Sequence, residues 1–473
     1  MKKHLLIGGQ EVFAEHYEPL RSPYSGEVIA TIAQATIGQL DDAIVSAEAA
    51  CSLQRKLAAH ERAHILSKVA QLLAERKDEA ARCISLEAAK PIKQSYIEVE
   101  RTIQTYQYAA EEAKRLTGEM VPMAAMPGGE GRLAFTIREP IGVVGAITPF
   151  NFPMNLVAHK IGPAIAAGNT VVLKPAPQTP LSAYFIGELF KEAGLPDGVL
   201  NIVTGDGVLL GEYLASDRRV NMITFTGSPA VGMRISQLAG IKKRTLELGS
   251  NSAVIIDDEM MTEQIIERCV TGAFSNNGQV CISLQRIYVV GDQYESFVQK
   301  LVEATSRLQL GDPLSIETDV SALISKTSIA RSLQWIQEAM DDSAVLALGG
   351  RTKDDVILEP TILLDVPQHS AISCQEVFAP IVIVNKVASI EEAIEMVNHS
   401  EYGLQAGVYC KTLETAWKAA ANLQVGGVLI NDIPTYRVDH MPYGGVKLSG
   451  TGKEGVPYAM EDMTTSKLVI VKV

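Results

Sequence analysis

Apolar residues recur at helical spacing in the early part of the chain. Between His60 and Lys90 they fall on one stripe, with arginine and glutamate between them: Ile65, Leu66, Val69, Leu72 and Leu73. Such a stripe is typical of amphipathic helices, because a helix places every third or fourth residue on the same face. We therefore expect the first stretch of the chain to be helical.

From Gly142 onward, short apolar runs alternate with stretches of helical periodicity. Strands are predicted at 143–148, 170–173, 199–203 and 222–226. Helices are predicted between them at 153–167, which ends at Gly168, and at 181–193. Strands that alternate with helices of this size predict a mostly parallel, doubly wound sheet.

A second alternating stretch follows Glu247. Its predicted strands are 253–256, 287–290, 381–384 and 428–430. Helices are predicted between them, for example at 294–307 and 390–397. The 473 residues exceed what a single hydrophobic core holds, so we expect two or more domains. The predicted fold class is therefore α/β, with two doubly wound domains.

Two further segments are β-prone but lie outside both alternating stretches. One is 131–139, between the early helices and the first strand, and the other is the tail 464–473. A protruding hairpin and a tail strand often pair subunits, and we expect that role here.

Composition narrows the range of functions. The formal charge of −13 has no basic stripe to offset it, which argues against nucleic acid as a partner. The longest apolar runs are short and broken by glycine and proline, so we expect no membrane span. The N-terminus lacks the features of a signal peptide. Six scattered cysteines without a CxxC pair predict reduced thiols in the cytoplasm, and we expect no metal site.

Cys281 is the candidate nucleophile, in the segment Asn277-Gly-Gln-Val-Cys281. The glycine allows a tight turn before the thiol. A helix following Cys281 would aim backbone N–H groups at the sulfur and favour the thiolate. On residue type alone, a buried structural cysteine is the more common case, so that alternative stays open here.

Two polar residues have surroundings that suit catalysis. Glu247 is flanked by leucines, as expected of a partly desolvated base with a raised pKa, although a solvated glutamate at a strand end is the alternative. Asn151 stands between two phenylalanines and two prolines, where a rigid amide could donate to a developing oxyanion. The same side chain could also cap the helix predicted at 153.

Two turns follow predicted strands. Phe225-Thr-Gly-Ser-Pro-Ala-Val-Gly232 precedes a helix and resembles a phosphate-cradling loop, but it lacks the full GxGxxG spacing. Lys174 opens the second turn at a strand's carboxyl end, where an ammonium group suits a ribose or phosphate ligand. A solvated turn lysine is the alternative.

Seven motifs, taken in order, closely resemble the aldehyde dehydrogenase superfamily over nearly the whole chain. They are Pro149-Phe-Asn-Phe-Pro153, Lys174-Pro-Ala176, Phe225-Thr-Gly-Ser228, Glu247-Leu-Gly249, Gly278-Gln-Val-Cys281, Glu376-Val-Phe-Ala-Pro380 and Pro442-Tyr-Gly-Gly-Val-Lys-Leu-Ser-Gly450. Seven motifs in one order make a chance match negligible, so the joint pattern outweighs each separate alternative.

The resemblance implies the oxidation of an aldehyde to a carboxylic acid with NAD or NADP as cofactor. Cys281 matches the family's nucleophile, Glu247 its general base and Asn151 its oxyanion donor. The cofactor-binding residues implied are Thr148, Pro149, Lys174, Pro177, Gly227, Ser228, Gly232, Glu376 and Phe378. Substrate contacts are expected at Phe152, His159, Arg437 and Tyr443, and a proton relay at Lys160 and Glu454.

The resemblance also implies a domain organisation and an assembly. It places a cofactor-binding domain at 1–122 and 142–246 and a catalytic domain at 247–441. The small oligomerisation β-element is expected at 123–141 and 456–473, and the assembly is expected to be a homodimer or homotetramer.

The sequence departs from the family's common pattern in four places, which are Pro177, His159, Ser250 in place of the usual second glycine, and Ala379 in place of the usual glycine. Pro177 stands where NAD-preferring members often carry a glutamate that grips the adenosine ribose, so NADP becomes acceptable. His159 stands where many members place an aromatic residue of the substrate tunnel. Arg437 falls in the tunnel-lining loop, where a buried guanidinium needs an anionic partner. That partner is either Asp439 or the substrate. We expect the substrate to be a small aldehyde, and in the second case one with an acidic group.

The expected chemistry is non-acylating. Thiolate attack gives a thiohemiacetal, loss of hydride gives a thioester, and Glu247 activates the water that hydrolyses it. An acylating enzyme, in which coenzyme A takes the acyl group, often lacks the glutamate, and an assay for acyl-CoA distinguishes the two. A non-enzymatic member should have lost the thiol or the base, and this chain has both.

Overall fold

Helices and strands alternate along most of the chain in the computed structural model, which describes residues 1–257 and 260–473. The α-helices of these residues are Ile37–Lys56, Ala59–Glu75, Lys77–Ala88, Ile92–Glu112, Asn155–Ala166, Leu181–Glu192, Gly207–Ser216, Pro229–Ala239, Glu263–Phe274, Tyr294–Thr305, Lys326–Asp341, Ala371–Cys374, Ile390–Asn398, Leu413–Asn422 and Val456–Asp462. Short 3-10 helices lie at Met123–Ala125, Ser275–Gly278 and Gly291–Gln293.

The first large sheet has eight strands. In order across the sheet they are Gly450–Thr451, Lys243–Glu247, Val220–Thr226, Val143–Ile147, Thr170–Lys174, Leu200–Ile202, Leu5–Ile7 and Gln10–Val12. The five strands from Lys243–Glu247 to Leu200–Ile202 run parallel, and the outer strands pair antiparallel. Parallel neighbours require long crossovers, which explains the helices between these strands in the sequence.

The strand order of this sheet changes direction beside Val143–Ile147. The next two parallel strands along the chain are added on one side of it, and the following two on the other side, starting with Val220–Thr226. A switch of this kind leaves a crevice at the carboxyl ends of the two strands, because their connections leave toward opposite faces. The candidate site lies in this crevice.

The second large sheet has seven strands and is covered on both faces. In order they are Val345–Leu348, Thr361–Leu364, Ile381–Val387, Arg286–Val290, Ala253–Ile256, Gln405–Tyr409 and Gly427–Ile430, and only the first pairs antiparallel. Val254 and Ile256 pack into one hydrophobic core, whereas Ala253 and Ile255 pack into the core of the opposite face. Burial on both faces explains why this strand is apolar throughout.

A third sheet joins the two β-prone segments of the sequence. The tail strand Thr464–Lys472 pairs antiparallel with Arg132–Pro140 along its whole length, and Met120–Val121 adds a third strand. Within the predicted 456–473 element, residues Val456–Asp462 form a helix. A smaller three-stranded sheet contains Lys2–Lys3, Val28–Gln34 and His16–Arg21. Two further pairs of strands are Thr352–Lys353 with Ile357–Leu358, and Tyr402–Gly403 with Val446–Lys447.

The predicted α/β class with two doubly wound sheets is confirmed, but the prediction of a helical first stretch is wrong for its first 34 residues. These contain five strands of two to seven residues, from Lys2–Lys3 to Val28–Gln34. The helices predicted between residues 60 and 90 are present as Ala59–Glu75 and Lys77–Ala88. The central strands Thr361–Leu364 and Gln405–Tyr409 were not predicted.

Three general features bear on function. Among the described residues, no helix combines the length and the apolar character that crossing a bilayer requires. The same residues contain no group of three or more histidine, cysteine or acidic side chains arranged to hold a metal ion. All six cysteines are free thiols.

Candidate active site

Two cavities meet at Cys281. The larger has a volume of about 750 Å³ and the smaller about 290 Å³. Four residues line both cavities: Leu156, Cys281, Arg437 and Tyr443. Cys281 is only partly buried, unlike a core cysteine such as Cys269. A thiol at such a junction can face a substrate in one cavity and a cofactor in the other.

The larger cavity opens at the carboxyl ends of the parallel strands, beside the switch point. Thr148 and Gly227 each follow a central strand, and Lys174 and Glu247 each end one. All four line the cavity, because parallel strands deliver their C-terminal residues to one edge of the sheet. Eight residues predicted to bind the cofactor line it: Thr148, Pro149, Lys174, Pro177, Gly227, Ser228, Glu376 and Phe378.

The chain turns sharply just before Cys281. Asn276, Asn277 and Gly278 have φ angles of 50°, 58° and 68°, in the left-handed region that asparagine and glycine tolerate best. A side chain at Gly278 would overlap the carbonyl group of Ala379. The structure thus contains the tight turn predicted at this glycine, and the turn carries Cys281 to the junction of the cavities.

No helix follows Cys281 directly, so no helix N-terminus points at the sulfur from that side. Residues 281–285 are irregular, and the strand Arg286–Val290 follows them. The sulfur lies 3.0 Å from the hydroxyl oxygen of Tyr443. Burial raises the pKa of the Cys281 thiol to about 11, and the Tyr443 hydrogen bond and the Arg437 charge oppose that rise. The groups that oppose the effect of burial on the thiol are therefore side chains and not a helix N-terminus.

Glu247 is buried at the end of its strand, so the alternative of a solvated glutamate does not hold. Neither carboxylate oxygen has a hydrogen-bond partner among the described residues. Burial raises its pKa well above the usual value, the charge of Glu454 adds to this, and Arg437 and Lys160 oppose it. Buried polar groups in native proteins are normally paired, so this carboxylate is available to a water or a substrate.

Asn151 does not cap the following helix, which begins at Asn155 with Met154 as its N-cap residue. Its Nδ2 donates a hydrogen bond to the carbonyl oxygen of Gln279 at 2.9 Å, and its Oδ1 is buried without a partner in the described chain. A side-chain amide carries two N–H protons. Nδ2 therefore has a second proton that it can donate.

Arg437 is held by Glu454, which also binds Lys160. The distances are 3.1 Å from Arg437 Nη2 to Glu454 Oε2 and 2.9 Å from Lys160 Nζ to Glu454 Oε1. Burial alone would raise the pKa of Glu454, but Lys160 and Arg437 hold it below the usual value. The predicted pair of Lys160 and Glu454 is thus in contact, and its role as a proton relay stays a prediction.

Asp439 was one of the two partners considered for Arg437, and the structure pairs Arg437 with a different internal carboxylate, that of Glu454. The Asp439 carboxylate instead accepts hydrogen bonds from Arg101, at 2.7 Å, and pairs with His159 Nε2 at 2.8 Å. His159 is 1% exposed and is not among the residues that line either cavity. The histidine therefore fixes Asp439 from behind the cavity wall. The prediction that His159 forms part of the wall and contacts the substrate is wrong.

Two charged side chains on the wall of the larger cavity, the buried Lys174 and the partly buried Glu376, suit the hydroxyl groups of a nucleotide. Burial lowers the pKa of Lys174 to about 8, with Asp206 opposing, so the alternative of a solvated turn lysine does not hold. Burial raises the pKa of Glu376 to about 7, although its Oε1 accepts the Ser250 N–H at 3.0 Å. An ammonium group and a carboxylate can donate to and accept from ribose hydroxyls.

The turn at Gly227 leads into the helix Pro229–Ala239. Ser228 is its N-cap residue and accepts the N–H of Val231, and both residues line the larger cavity. The N-terminus of a helix favours anions such as a pyrophosphate. Gly232, also predicted here, does not line the cavity; a side chain at this position would overlap Leu248, so close packing explains the glycine.

Aromatic rings lie on both sides of the thiol. Phe378 lines the larger cavity, and its ring stands edge-on to Phe150 with centroids 5.7 Å apart. Phe152 lines the smaller cavity, and the ammonium group of Lys90 lies 3.7 Å from its ring centroid. Phe378, predicted for the cofactor, and Phe152, predicted for the substrate, thus lie in different cavities, whereas Arg437 and Tyr443 line both.

The smaller cavity has a basic wall that sequence reasoning mostly missed. Besides Arg437 it contains Lys90, Arg101 and Arg268, which are ion-paired with Glu98, Asp439 and Asp432, respectively. A weak signal existed, because Gln94, Glu98 and Arg101 recur at helical spacing along Ile92–Glu112. Their distance along the chain from Cys281 kept them from being linked to it.

Comparisons with known proteins agree with this geometry. A family model described as the aldehyde dehydrogenase family matches residues 13–469. The chain is 46% identical over 468 residues to a 3-sulfolactaldehyde dehydrogenase of Priestia aryabhattai, covering 99% of this chain and 97% of the relative.

Two solved structures are similar over almost their whole length. Aldehyde dehydrogenase 21 of Physcomitrella patens, in complex with the reaction product succinate, is 37% identical with a TM-score of 0.97. The match covers 100% of this chain and 98% of the solved one. A glyceraldehyde-3-phosphate dehydrogenase of Methanocaldococcus jannaschii, complexed with NADP, is 38% identical with a TM-score of 0.93 and coverage of 97% and 100%.

Proposed function

The chain belongs to the aldehyde dehydrogenase family, and we propose that Cys281, Glu247 and Asn151 carry out its NAD(P)-dependent oxidation of an aldehyde to a carboxylic acid. The observation that carries this proposal is the position of Cys281 at the junction of the two cavities. The unpartnered carboxylate of Glu247 and the free amide proton of Asn151 supply the other two groups that the chemistry needs.

The chemistry follows from these groups. The Cys281 thiolate bonds to the carbonyl carbon, and the π electrons move to the oxygen, where Asn151 Nδ2 donates a hydrogen bond. When the C=O bond re-forms, the C–H bond breaks and its two electrons leave as hydride, for which NAD or NADP, held by Lys174, Glu376 and the turn at Gly227, would supply the acceptor. A thioester remains on Cys281. Glu247 takes a proton from water, the hydroxide adds to the thioester, and the C–S bond breaks to release the acid.

We further propose that the substrate is a short aldehyde with an anionic group. The smaller cavity is only about 290 Å³, and its wall contains Lys90, Arg101, Arg268 and Arg437. The Nε of Arg437 is buried and has no hydrogen-bond partner among the described residues. Sulfonate, carboxylate and phosphate groups occur in the names of the similar proteins, and each is a good bidentate acceptor for a guanidinium.

An aldehyde panel crossed with NAD and NADP tests the proposed function. Succinic semialdehyde and butanal form a matched pair, because they have the same chain length and only one has the carboxylate. We expect kcat/KM to be at least about tenfold higher for the anionic member, as one charged hydrogen bond implies. A preference for long neutral or aromatic aldehydes would refute the anionic class. Acyl-CoA formation with added coenzyme A would refute the hydrolytic route.

Replacing Arg437 with leucine should raise KM for anionic aldehydes about 10–100-fold, as losing a charged hydrogen bond of about 1.5–3 kcal/mol implies. Neutral aldehydes serve as the control within the same variant, because Arg437 also contacts Glu454 and Tyr443. Steady-state kinetics on both classes provide the measurement. An equal loss on both classes would show that Arg437 does not bind the anionic group of the substrate.

NADP is the cofactor we propose to be accepted alongside NAD. Pro177 lines the larger cavity near Lys174 and carries no charge that would repel a 2′-phosphate. The cofactor arm of the panel measures this directly as the ratio of the two kcat/KM values. Activity with NAD alone would contradict it.

The sheet formed by Met120–Val121, Arg132–Pro140 and Thr464–Lys472 is the proposed oligomerisation element. Its strands expose large apolar side chains to an unusual extent, among them Leu133, Leu468, Ile470 and Val471. Sedimentation velocity should show a dimer or tetramer, and Ile470→Asp should shift it toward the monomer. Leu413→Asp, at an exposed leucine outside this sheet, is the matched control. A monomeric wild-type chain would contradict this role.

The six free thiols support the predicted cytoplasmic location. Fractionation of cells that carry a tagged copy checks this, and recovery of the protein outside the cytoplasm would contradict it.

A further inference from the structure

We propose that Tyr443 is a catalytic residue that donates a hydrogen bond to the Cys281 thiolate, and that Arg437 is the positioning residue for its ring. This rests on the proposed role of Cys281 as nucleophile. It gives Tyr443, expected from the sequence only to contact substrate, a role at the reacting sulfur.

The contact is direct and its geometry is fixed. The Tyr443 hydroxyl oxygen lies 3.0 Å from Cys281 Sγ, and the tyrosine is 2% exposed. Its backbone N–H donates to the carbonyl of Glu454 at 3.0 Å, and the Glu454 N–H donates back. The ring packs in a small apolar cluster with Val280, Ile282 and Leu404. The hydroxyl is therefore held at the sulfur from the backbone and from the ring.

The direction of this hydrogen bond follows from the chemistry of the two groups. A thiolate has no proton, so once the Cys281 proton has left, only the tyrosine O–H can donate. Burial raises the pKa of Tyr443 well above the usual value, so the phenol keeps its proton over the working pH range. No proton moves to or from Tyr443 in this role. The free electron pair of the sulfur forms the C–S bond.

Arg437 fixes and polarises the phenol. Its guanidinium carbon lies 3.7 Å from the Tyr443 ring centroid, and Glu454 binds the guanidinium from the other side at 3.1 Å. A cation over an aromatic ring is attracted to the ring's negative face and draws electron density from the hydroxyl. Because no helix follows Cys281, this stacked pair supplies the stabilisation that a helix N-terminus would otherwise give.

Four charged or polar groups act on the ionisation of the thiol. The Tyr443 hydrogen bond and the Arg437 charge lower the pKa of Cys281, while Glu376 and Glu247 raise it. Burial also raises it and is the largest effect. Removing the Tyr443 hydroxyl should therefore leave the thiol harder to ionise, so that the thiolate appears only at higher pH.

The test is the pH dependence of Cys281 alkylation by iodoacetamide, followed by mass spectrometry of the peptide that contains Cys281. In Tyr443→Phe, which keeps the ring and its packing, we expect the apparent pKa to rise and the rate near neutral pH to fall about tenfold. Tyr106→Phe is the matched control, because that buried hydroxyl has no hydrogen-bond partner among the described residues, and it should behave like wild type.

An unchanged or lowered apparent pKa in Tyr443→Phe would overturn the inference. Failure of the proposed function gives a different result, because Cys281→Ser would then remain active whatever the alkylation profiles are. If Cys281→Ser is inactive while Tyr443→Phe alkylates like wild type, the nucleophile stands and only the role of Tyr443 falls.

Discussion

Replacing Cys281 with serine should lower turnover at least about 10³-fold, because a serine hydroxyl ionises far less readily than a thiol at neutral pH. The side chain changes by one atom at the junction of two cavities, so the fold and cofactor binding should be kept. Hydride transfer needs the tetrahedral adduct on this residue, and no other cysteine lines either cavity among the described residues. Steady-state formation of NADH or NADPH measures the loss.

Cys51→Ser is the matched control for this prediction. Cys51 is a free thiol on the helix Ile37–Lys56, away from both cavities, and its replacement should leave turnover unchanged. Thermal denaturation and cofactor binding show whether each variant is folded. More than about a tenth of wild-type turnover in folded Cys281→Ser would rule Cys281 out as the nucleophile.

Replacing Glu247 with glutamine should separate acylation from hydrolysis. Loss of a general base costs about 10²–10⁴-fold in the step that it catalyses. Steady-state turnover should therefore fall by that amount, while a stoichiometric burst of reduced cofactor remains if the thiol can still ionise. The neutral amide also removes a buried charge that disfavours the Cys281 thiolate. Stopped-flow absorbance measures the burst and the steady state together.

Hydroxylamine provides the control for stalling at the thioester. It attacks acyl groups without a base, so adding it should restore turnover in Glu247→Gln but add little to wild type. A missing burst would mean that Glu247 also takes the proton from the thiol. Unchanged steady-state turnover in Glu247→Gln would eliminate the proposed role.

The candidate site was largely predictable because its motifs lie at strand ends. Lys174 and Glu247 each end a parallel strand, and the fold brings such ends to one edge whatever the sequence between them. The tight turn before Cys281 could also be anticipated from its glycine. For these residues, local sequence and sheet topology together decide the position.

Most charge pairing could not be predicted from the residues themselves, because it depends on side chains that are distant along the chain; the pair of Lys160 and Glu454 came from the family resemblance. Asp439 is two residues from Arg437, yet it faces Arg101 and His159, while Arg437 reaches Glu454. Proximity in sequence favoured the wrong partner, since neighbours in a loop point in different directions. The strand predicted at 287–290 is present as Arg286–Val290, and it leaves no room for a helix directly after Cys281.

Short elements account for the remaining errors in the fold. The strands before residue 35 are two to seven residues long, which gives too few positions for a period of two to be recognised. Glycines were also ambiguous. Gly232 stands in a phosphate-loop pattern, but the glycine is needed there for packing against Leu248.

Mass spectrometry of the acid-quenched enzyme can detect the proposed thioester on Cys281. Wild type and Glu247→Gln are mixed with succinic semialdehyde and NADP, quenched in acid within the first turnover, and digested. We expect an acyl adduct on the peptide that contains Cys281. Glu247→Gln should contain more of this adduct than wild type, because its hydrolysis is slowed. Acid product formed without any adduct on Cys281, or with the adduct on another residue, would contradict the account.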